Sequence, residues 1–320
     1  MRYFFSNGFV AVWLIALSTC QVWAASFACI SNQLSDSVSI IDTPTQQVIR
    51  TVPVTGKPAG VAMARDGKFC YISTPEAQGF AVLDMQTYQV IRHVAVSDGA
   101  LGIALSPNQQ FIFVADWYHN TVSMLNAKDF TLLKTITVGQ SPSGLVVSPD
   151  SHWLYVANRL SNSVSKIALA DFSVDSTVTV GAHPFGLSLD SRGERLYVVN
   201  VESDDVSVVT TQTMQNIATI PVSMLPYAAT LALNDERLLV TNQEDNSVSV
   251  IDTVTLKELT RLTVGERPEG ISTHPNDRLV YVANWFEGTV SVLDAKTLRV
   301  VNTIKTGEGS RAFGQFISTH

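Results

Sequence analysis

The sequence is poor in charged residues, which make up 15% of its 320 residues against a hydrophobic share of 46%. This balance suits a well-filled core with a modest polar surface. The charge that is present is mostly negative, with a formal net charge of −7. An acidic surface repels phosphate backbones and anionic lipid headgroups, so we expect neither nucleic acid nor a membrane surface as a partner.

Catalytic motifs are also missing. The sequence has no GxSxG, no HExxH, no P-loop and no paired-cysteine motif. The six histidines are scattered, and a metal site would need His119 and His183 to converge with a carboxylate such as Glu202. Histidines on separate loops are more often solvated. We therefore expect no metal, no cofactor and no catalytic residue.

One long apolar run is present, at the N-terminus. Gly8 to Leu17 is too short to span a bilayer, follows the positive Arg2 and precedes Val22-Trp23-Ala24, which offers a small residue for cleavage. We interpret residues 1–24 as a secretory signal peptide, which predicts a periplasmic or secreted protein with no membrane span. Its removal would leave a net charge of −8, because Arg2 is its one charged residue.

Two alternatives to a cleaved signal remain. The run could serve as a membrane anchor. Leu17-Ser18-Thr19-Cys20 also resembles a lipobox, although Thr19 stands where that motif has Gly, Ala or Ser.

The rest of the chain repeats every 42 residues. The residue that ends the first strand pattern of each unit follows this step: Asn32, Thr74, Asp116, Asn158, Asn200, Asn242 and Asn284. A position rich in proline does so too: Pro58, Ala100, Pro142, Pro184, Pro226, Pro268 and Ser310. Residues 27–320 number 294, which is seven units without insertion or deletion.

Each unit contains four short strand patterns and no helical periodicity. Leu154–Asn158 and the alternating Ser163–Ile167 are two of them in one unit. Four strands in a repeat of this length indicate a propeller blade. We predict that residues 25–320 form an all-β, seven-bladed β-propeller with four antiparallel strands per blade, and we expect a monomer.

The chain begins at one strand type and ends at another. The segment from Arg311 to Ile317 has the pattern of the strand that would precede Phe27–Ser31 in a complete unit. We therefore predict that the last strand is the innermost strand of the blade that the first three strands begin. A blade shared between N- and C-terminal strands closes the ring and removes its free edges.

Two residue types have structural interpretations. Cys29 and Cys70 occupy strand positions that other units fill with Leu, Ile or Tyr, so we interpret them as small buried hydrophobes. A disulfide between them is not favoured, because they fall at different phases of adjacent units. A single Asp recurs at one phase and predicts a turn former rather than a calcium ligand: Asp42, Asp84, Asp252 and Asp294.

Several segments resemble a known family. They are Val156-Ala157-Asn158, Val282-Ala283-Asn284, Ser247–Asp252 (SVSVID) and Val264–Gly270 (VGERPEG). In these motifs the chain is similar to the YVTN-repeat β-propellers, which include YncE-like bacterial periplasmic propellers. The resemblance covers all seven units and implies a scaffold and an exported location, but no single activity. Thr74, where most units have Asn, and Ala168, where many have Asp, depart from the pattern.

Function should show where equivalent loop positions differ, since the shared positions serve the scaffold. The loop after each first strand and the residue after each proline vary most, and they belong to one face. We predict a ligand-binding rim there, with aromatic side chains exposed beside charged ones. Its residues are Trp117, Tyr118, Arg159, Phe185, Tyr227, Glu269, Trp285, Phe286 and Arg311.

These features favour a non-catalytic binding or scaffold protein that recognises a protein or peptide at this mouth of the central channel. A lactonase-like hydrolase is an alternative, with Glu269 as acid, Arg311 as anion clamp and His183 as base. Single-stranded nucleic acid stacking on Trp117 and Trp285 is another. The net charge argues against the latter.

Overall fold

The computed structural model describes residues 26–318, so the predicted signal peptide lies outside the described range. Within that range the chain forms 27 β-strands and two short 3₁₀ helices, Pro75–Ala77 and Arg159–Ser161. No helix of this part of the chain is long and apolar enough to cross a membrane.

The strands form seven antiparallel sheets arranged as blades. The innermost strands of blades 2 to 7 are β4 (Val61–Met63), β8 (Ala100–Leu105), β12 (Pro142–Val147), β16 (Pro184–Leu189), β20 (Pro226–Ala232) and β24 (Pro268–Thr273). The second strands, from blade 1 onward, are β1 (Phe27–Asn32), β5 (Phe69–Thr74), β9 (Phe111–Asp116), β13 (Trp153–Asn158), β17 (Arg195–Asn200), β21 (Arg237–Asn242) and β25 (Leu279–Asn284). The third strands are β2 (Ser37–Asp42), β6 (Gly79–Asp84), β10 (Thr121–Asn126), β14 (Ser163–Ala168), β18 (Asp205–Thr210), β22 (Ser247–Asp252) and β26 (Thr289–Asp294). The outermost strands are β3 (Gln47–Pro53), β7 (Gln89–Ala95), β11 (Leu132–Thr137), β15 (Ser173–Thr179), β19 (Gln215–Pro221), β23 (Lys257–Thr263) and β27 (Arg299–Lys305).

The predicted ring closure is confirmed. The amide of Cys29 in β1 donates to the carbonyl of Phe316 at 2.9 Å, and the amide of Arg311 donates to Ser31 at 2.8 Å. The segment 311–317 therefore supplies the fourth, innermost strand of blade 1. It also joins the next blade, because the amide of Val61 in β4 donates to the carbonyl of Phe313 at 2.9 Å.

The asparagine that five of the seven units carry links loop and strands inside its own blade. In blade 4 the Asn158 amide donates to the hydroxyls of Ser163 (3.2 Å) and Ser165 (2.9 Å). Its carbonyl oxygen accepts from the amide of Gly139 at 3.0 Å. One buried side chain thus ties two strands to the turn that enters the blade, which explains why the Asn and the Ser-Val-Ser motif recur together.

The repeated glycine of the innermost strands allows them to approach one another around the channel. A Cβ atom at Gly102 would lie 1.9 Å from the carbonyl oxygen of Ser143 in the next blade, and one at Gly144 would lie 2.1 Å from that of Phe185. No side chain fits at such a distance, so glycine is required at these two positions.

The hydrophobic core consists of layers between neighbouring blades. One layer joins blades 4 and 5 through Tyr155, Val164, Leu196 and Val198, all buried. Another joins blades 7, 1 and 2 and includes Phe316 of the closing strand. Cys29 and Cys70 are free thiols buried in this same layer, as the interpretation of small buried hydrophobes predicts.

Both ends of the described chain lie on one face. The amide of Ser318 donates to the carbonyl of Phe27 at 3.0 Å. Strand β1 starts and the closing strand ends at this face, which carries the turns between innermost and second strands. We call it the opposite face. The rim face is the other one, formed by the loops after the second strands and the turns that lead into the innermost strands.

The recurring Asp is a turn former, as predicted. Asp294 accepts the backbone amides of Lys296 (2.9 Å) and Thr297 (3.0 Å), and Asp252 accepts those of Val254 (3.2 Å) and Thr255 (2.8 Å). Asp294 also accepts from the guanidinium of Arg278 at 2.9 Å. Hydrogen bonds from Arg278 lower the pKa of Asp294 to about 2.

The buried closing strand gives a first prediction. We expect Phe316→Ala to lower the free energy of unfolding by about 3–5 kcal/mol, because the ring is fully buried between blades. Phe286→Ala removes the same atoms from an exposed position and should change stability by less than about 0.5 kcal/mol. Urea unfolding of both variants measures the difference. Equal losses would contradict the role of the closing strand.

The Asp294–Arg278 pair gives a second prediction. The folded state holds the pKa of Asp294 below its unfolded value, so its contribution to stability is complete above about pH 4 and is lost as the pH falls toward about 2. We expect Asp294→Asn to lower the melting temperature at neutral pH and to converge with the wild type near pH 2. Asp42→Asn, the equivalent change in blade 1, is the matched control without an arginine partner, because Asp42 accepts from the amide of Thr45. If the melting temperatures of Asp294→Asn and the wild type differed by the same amount at every pH from 2 to 7, the prediction would be wrong.

Candidate functional site

Seven equivalent residues surround the centre of the rim face, one from the position after the proline of each unit. They are Ala59, Leu101, Ser143, Phe185, Tyr227, Glu269 and Arg311. The apolar members Ala59, Leu101, Phe185 and Tyr227 belong to a single hydrophobic cluster although they come from four blades. Equivalent positions of the blades lie close together around the propeller axis here, so their side chains pack against one another.

Aromatic rings fill this centre. The centroid of Phe185 lies 4.1 Å from that of Tyr227 and 5.2 Å from that of Phe313, which comes from the closing strand. Trp117 lies at the edge, 6.5 Å from Phe185. We call Phe185, Tyr227 and Phe313 the aromatic plug. All three are buried, so the plug closes the central channel at the rim face.

A buried ionic network lies beside the plug. The Arg311 Nε and Glu269 Oε2 atoms are 2.7 Å apart in an ion pair, although their angle is not that of a hydrogen bond. Arg311 donates to the Tyr227 hydroxyl at 2.6 Å, and Gln243 donates to Glu269 at 2.9 Å. Burial raises the pKa of Glu269, and Arg311 opposes this rise. Burial also raises the pKa of Tyr227, so its hydroxyl remains protonated.

Exposed apolar side chains surround the plug on the loops after the second strands. At one repeat position four of the seven residues are large and exposed, with exposed fractions of 51% for Leu34, 68% for Tyr118, 50% for Leu160 and 67% for Phe286. Glutamate occupies the other three: Glu76, Glu202 and Glu244.

These residues form two patches. Patch A, on blades 7 and 1, contains Phe286, Leu34 and the half-buried Trp285, whose indole donates to Gln33 at 3.3 Å. Patch B, on blades 3 and 4, contains Tyr118, Leu160 and the half-buried Trp117. The guanidinium of Arg159 lies 5.4 Å from the centroid of the Trp117 ring, in the arrangement of a cation–π contact.

The predicted rim residues therefore divide into two groups. Phe185, Tyr227, Glu269 and Arg311 converge at the centre, where the expected exposure is wrong for Phe185 and Tyr227. Trp117, Tyr118, Arg159, Trp285 and Phe286 lie outside the plug and are at least partly accessible. Sequence reasoning missed Phe313, although it is the one aromatic residue at its phase of the repeat.

The histidines of the rim face do not converge. His183 Nδ1 lies 3.1 Å from Glu202, whereas His119 Nδ1 lies 2.8 Å from Asp116 and 3.3 Å from Asp98. Within residues 26–318, Asp98, Asp116 and His119 are the one group of three potential ligands close enough to share a metal ion. Asp116 already accepts the amides of Tyr118 and His119, both at 3.0 Å, so its position has a structural reason.

The channel opens on the opposite face. A cavity of about 610 Å³ runs from Phe185 and Phe313 at its closed end to Arg65, Asp190 and Asp277 at the turns of the opposite face. Because the aromatic plug separates this cavity from the rim face, patches A and B lie on a closed surface and not at a channel mouth.

With seven four-stranded blades closed by the last strand, the protein is a seven-bladed β-propeller. Residues 21–109 match the family model described as YNCE-like β-propeller, in agreement with the resemblance in the repeats. Residues 92–218 match the model of the lactonase seven-bladed β-propeller, and residues 192–312 match that of the cytochrome D1 heme domain. No curated protein sequence matches the chain.

Solved structures share the fold at low sequence identity. Hydrazine synthase of Kuenenia stuttgartiensis is similar with a TM-score of 0.75 and 20% identity, over 88% of this chain and 99% of that one. A functionally unknown protein from Desulfotomaculum acetoxidans DSM 771 gives 0.76 and 14%, over 90% and 99%. Dihydro-heme d1 dehydrogenase NirN in complex with DHE gives 0.68 and 16%, over 91% of this chain and 66% of that one. These likenesses show the fold alone.

The buried ion pair gives a third prediction. We expect Arg311→Leu to cost about 3–5 kcal/mol of stability, because it leaves the Glu269 carboxyl buried without its partner. The double variant Glu269→Leu and Arg311→Leu should lie within about 2 kcal/mol of the wild type, since two apolar side chains join the plug. A double-mutant cycle in urea tests this coupling. Strictly additive costs would show that the two groups do not act as a pair.

Proposed function

We propose that this protein is an exported, non-catalytic propeller that recognises a protein partner on its rim face. The proposal rests on four large apolar side chains that are exposed at one repeat position: Leu34, Tyr118, Leu160 and Phe286. Large apolar side chains held on short loops of a rigid scaffold cost free energy in water unless a partner covers them. Export is proposed from the apolar run Gly8 to Leu17 within residues 1–24, and the partner of an exported protein would lie outside the cytoplasm.

The chemistry of patches A and B supports a protein partner. Each patch combines aromatic and leucine side chains, and patch B adds Arg159 over Trp117. Aromatic residues and arginine contribute most of the binding energy in typical protein interfaces. The two patches lie on separate pairs of blades, so a partner that contacts both must span the plug.

The negative charge of the rim face indicates which residues of the partner would surround the apolar contacts. Exposed carboxylates recur around the patches: Glu76, Glu202, Glu244, Glu266, Glu287 and Glu308. The exposed Arg267 is already paired with Glu244 at 2.8 Å. An acidic surface favours a partner with basic residues around an apolar contact area, and it accelerates the encounter of such a partner.

The closed centre argues against small-molecule functions at this face. The hydrolase alternative needs Glu269 and Arg311 accessible, but both are engaged in the buried network. The lactonase match ends at residue 218, before either residue. A flat macrocycle such as the heme of the cytochrome D1 domain does not fit the centre, because the aromatic plug fills it.

Stacking of single-stranded nucleic acid has less support. Trp117 and Trp285 lie four blades apart, each partly buried against its own patch. The surrounding carboxylates repel a phosphate backbone. A protein partner satisfies both the apolar and the acidic features of the rim face.

The fourth prediction tests this function by substitution on the rim. We expect the double variant Tyr118→Ser and Phe286→Ser to keep its fold and to bind its partner at least about 30-fold more weakly, since each change removes an exposed anchor. Ile91→Ser with Val254→Ser is the matched control. It removes exposed apolar side chains from an outermost strand and from the opposite face.

The measurement is cross-linking and co-purification of the full-length protein from extracts of the cells that produce it, followed by titration of any captured protein. A partner lost by the rim variant and retained by the control supports the proposal. Equal capture by both variants, or turnover of lactones by the wild type, would overturn it.

A further inference from the structure

A lysine occupies a core position of blade 4. Lys166 lies in the middle of β14, and its equivalents in the other six blades are all apolar and buried: Ile40, Val82, Met124, Val208, Val250 and Val292. Lys166 is itself only 6% exposed. Burying an ammonium group costs several kcal/mol unless charge or hydrogen bonds compensate for the lost hydration.

The compensation within the described residues is incomplete. The Lys166 ammonium donates to the backbone carbonyl of Thr211 at 2.9 Å and lies 3.9 Å from the centroid of the Trp153 ring. An ammonium has three N–H donors, and no carboxylate of residues 26–318 lies within ion-pair distance of this one. A neutral carbonyl and an aromatic face stabilise the charge but do not balance it.

The ammonium faces a pocket rather than packed core. A cavity of about 370 Å³ lies on the opposite face between blades 4 and 5, and Lys166, Trp153, Tyr155 and Arg192 are among its lining residues. Burial raises the pKa of Tyr155 to about 12, so its phenol is neutral at neutral pH, where its side chain hydrogen-bonds Thr211. Arg192, which is well exposed, adds a second positive charge at the entrance, where its Nη2 atom lies 3.1 Å from the exposed Glu194 carboxylate.

The one carboxylate that lines the pocket is occupied elsewhere. Asp150 accepts from the Ser148 hydroxyl and from the amide of His152 at 3.0 Å, and it lies 3.0 Å from the His152 ring. The pocket therefore presents the Lys166 ammonium without a carboxylate partner, an aromatic wall and, at its entrance, the Arg192 guanidinium paired with exposed Glu194.

We propose that this pocket is a binding site for a small anion, a carboxylate or phosphate group, with Lys166 as the buried counter-charge. Arg192 contacts the anion from the entrance, and the Trp153 and Tyr155 rings hold the part of the ligand that carries it. The volume lies within the range of small-molecule sites. The site is separate from patches A and B, because it lies on the opposite face.

The repeat supplies the test variant and its control. Lys166→Met installs the side chain type that blade 3 carries at the same position as Met124. Lys134→Met is the control, because Lys134 also donates to a backbone carbonyl (Asp171, 3.1 Å) and lies near an aromatic ring (Phe172, 5.9 Å) but is exposed. Both changes remove one positive charge.

The experiment measures melting temperature and heat of binding while inorganic phosphate or citrate replaces chloride at constant ionic strength. For the wild type and Lys134→Met we expect a saturable rise of about 3–5 °C with at least one anion. Lys166→Met should show no saturable rise and an unchanged or higher melting temperature in chloride, because it removes a buried charge. Arg192→Gln, an exposed change that leaves the fold intact, should weaken binding about 3–10-fold.

The two anions distinguish the sources of the charge. Binding of phosphate alone identifies a phosphate ligand, and binding of citrate alone identifies a carboxylate. No saturable binding of either to the wild type, or the same binding by Lys166→Met, would overturn the proposal. Failure of Lys166→Met to fold leaves Arg192→Gln as the deciding variant, and unaltered binding by it would count against the site.

Discussion

The pairing of the last strand with the first three is the constraint on which the rest of the structure depends. Every other blade is continuous in sequence, but blade 1 forms only when the segment 311–317 reaches β1. The same segment contributes Arg311 to the ionic network, Phe313 to the aromatic plug and Phe316 to the core between blades. Closing the ring, sealing the rim face and filling the layer around blade 1 therefore all depend on the same seven residues.

The fold was predictable because it depends on features that recur with the period of the sequence. The Asn158 contacts with Ser163 and Ser165 and the turn at Asp294 are local to one blade, and the close approach at Gly102 joins neighbouring blades. The exposure of Tyr118 and Phe286 was predictable for the same reason, since a loop after a second strand has one environment in every blade.

The burial of Phe185 and Tyr227 could not be predicted in that way. Seven side chains from seven blades share the centre of the rim face, and their combined volume decides whether the centre is open. Ala59 and Ser143 are small, but Phe185, Tyr227 and Phe313 together fill the gap. The sequence of one unit does not show the combined volume of side chains that come from different blades. Lys166 is recognisable in the sequence as a cation at an otherwise apolar position, but the pocket beside it is visible only in the structure.

Phe27 and Ser318 lie together on the opposite face, and this determines how the propeller is oriented when it is attached through either end. Both ends of the described chain lie on the side away from patches A and B. An anchor, a fused domain or an immobilising label at either end would therefore orient the propeller so that the acidic rim face, with patches A and B, points away from the attachment. A surface tethered in this way stays available to partners, whichever end carries the tether.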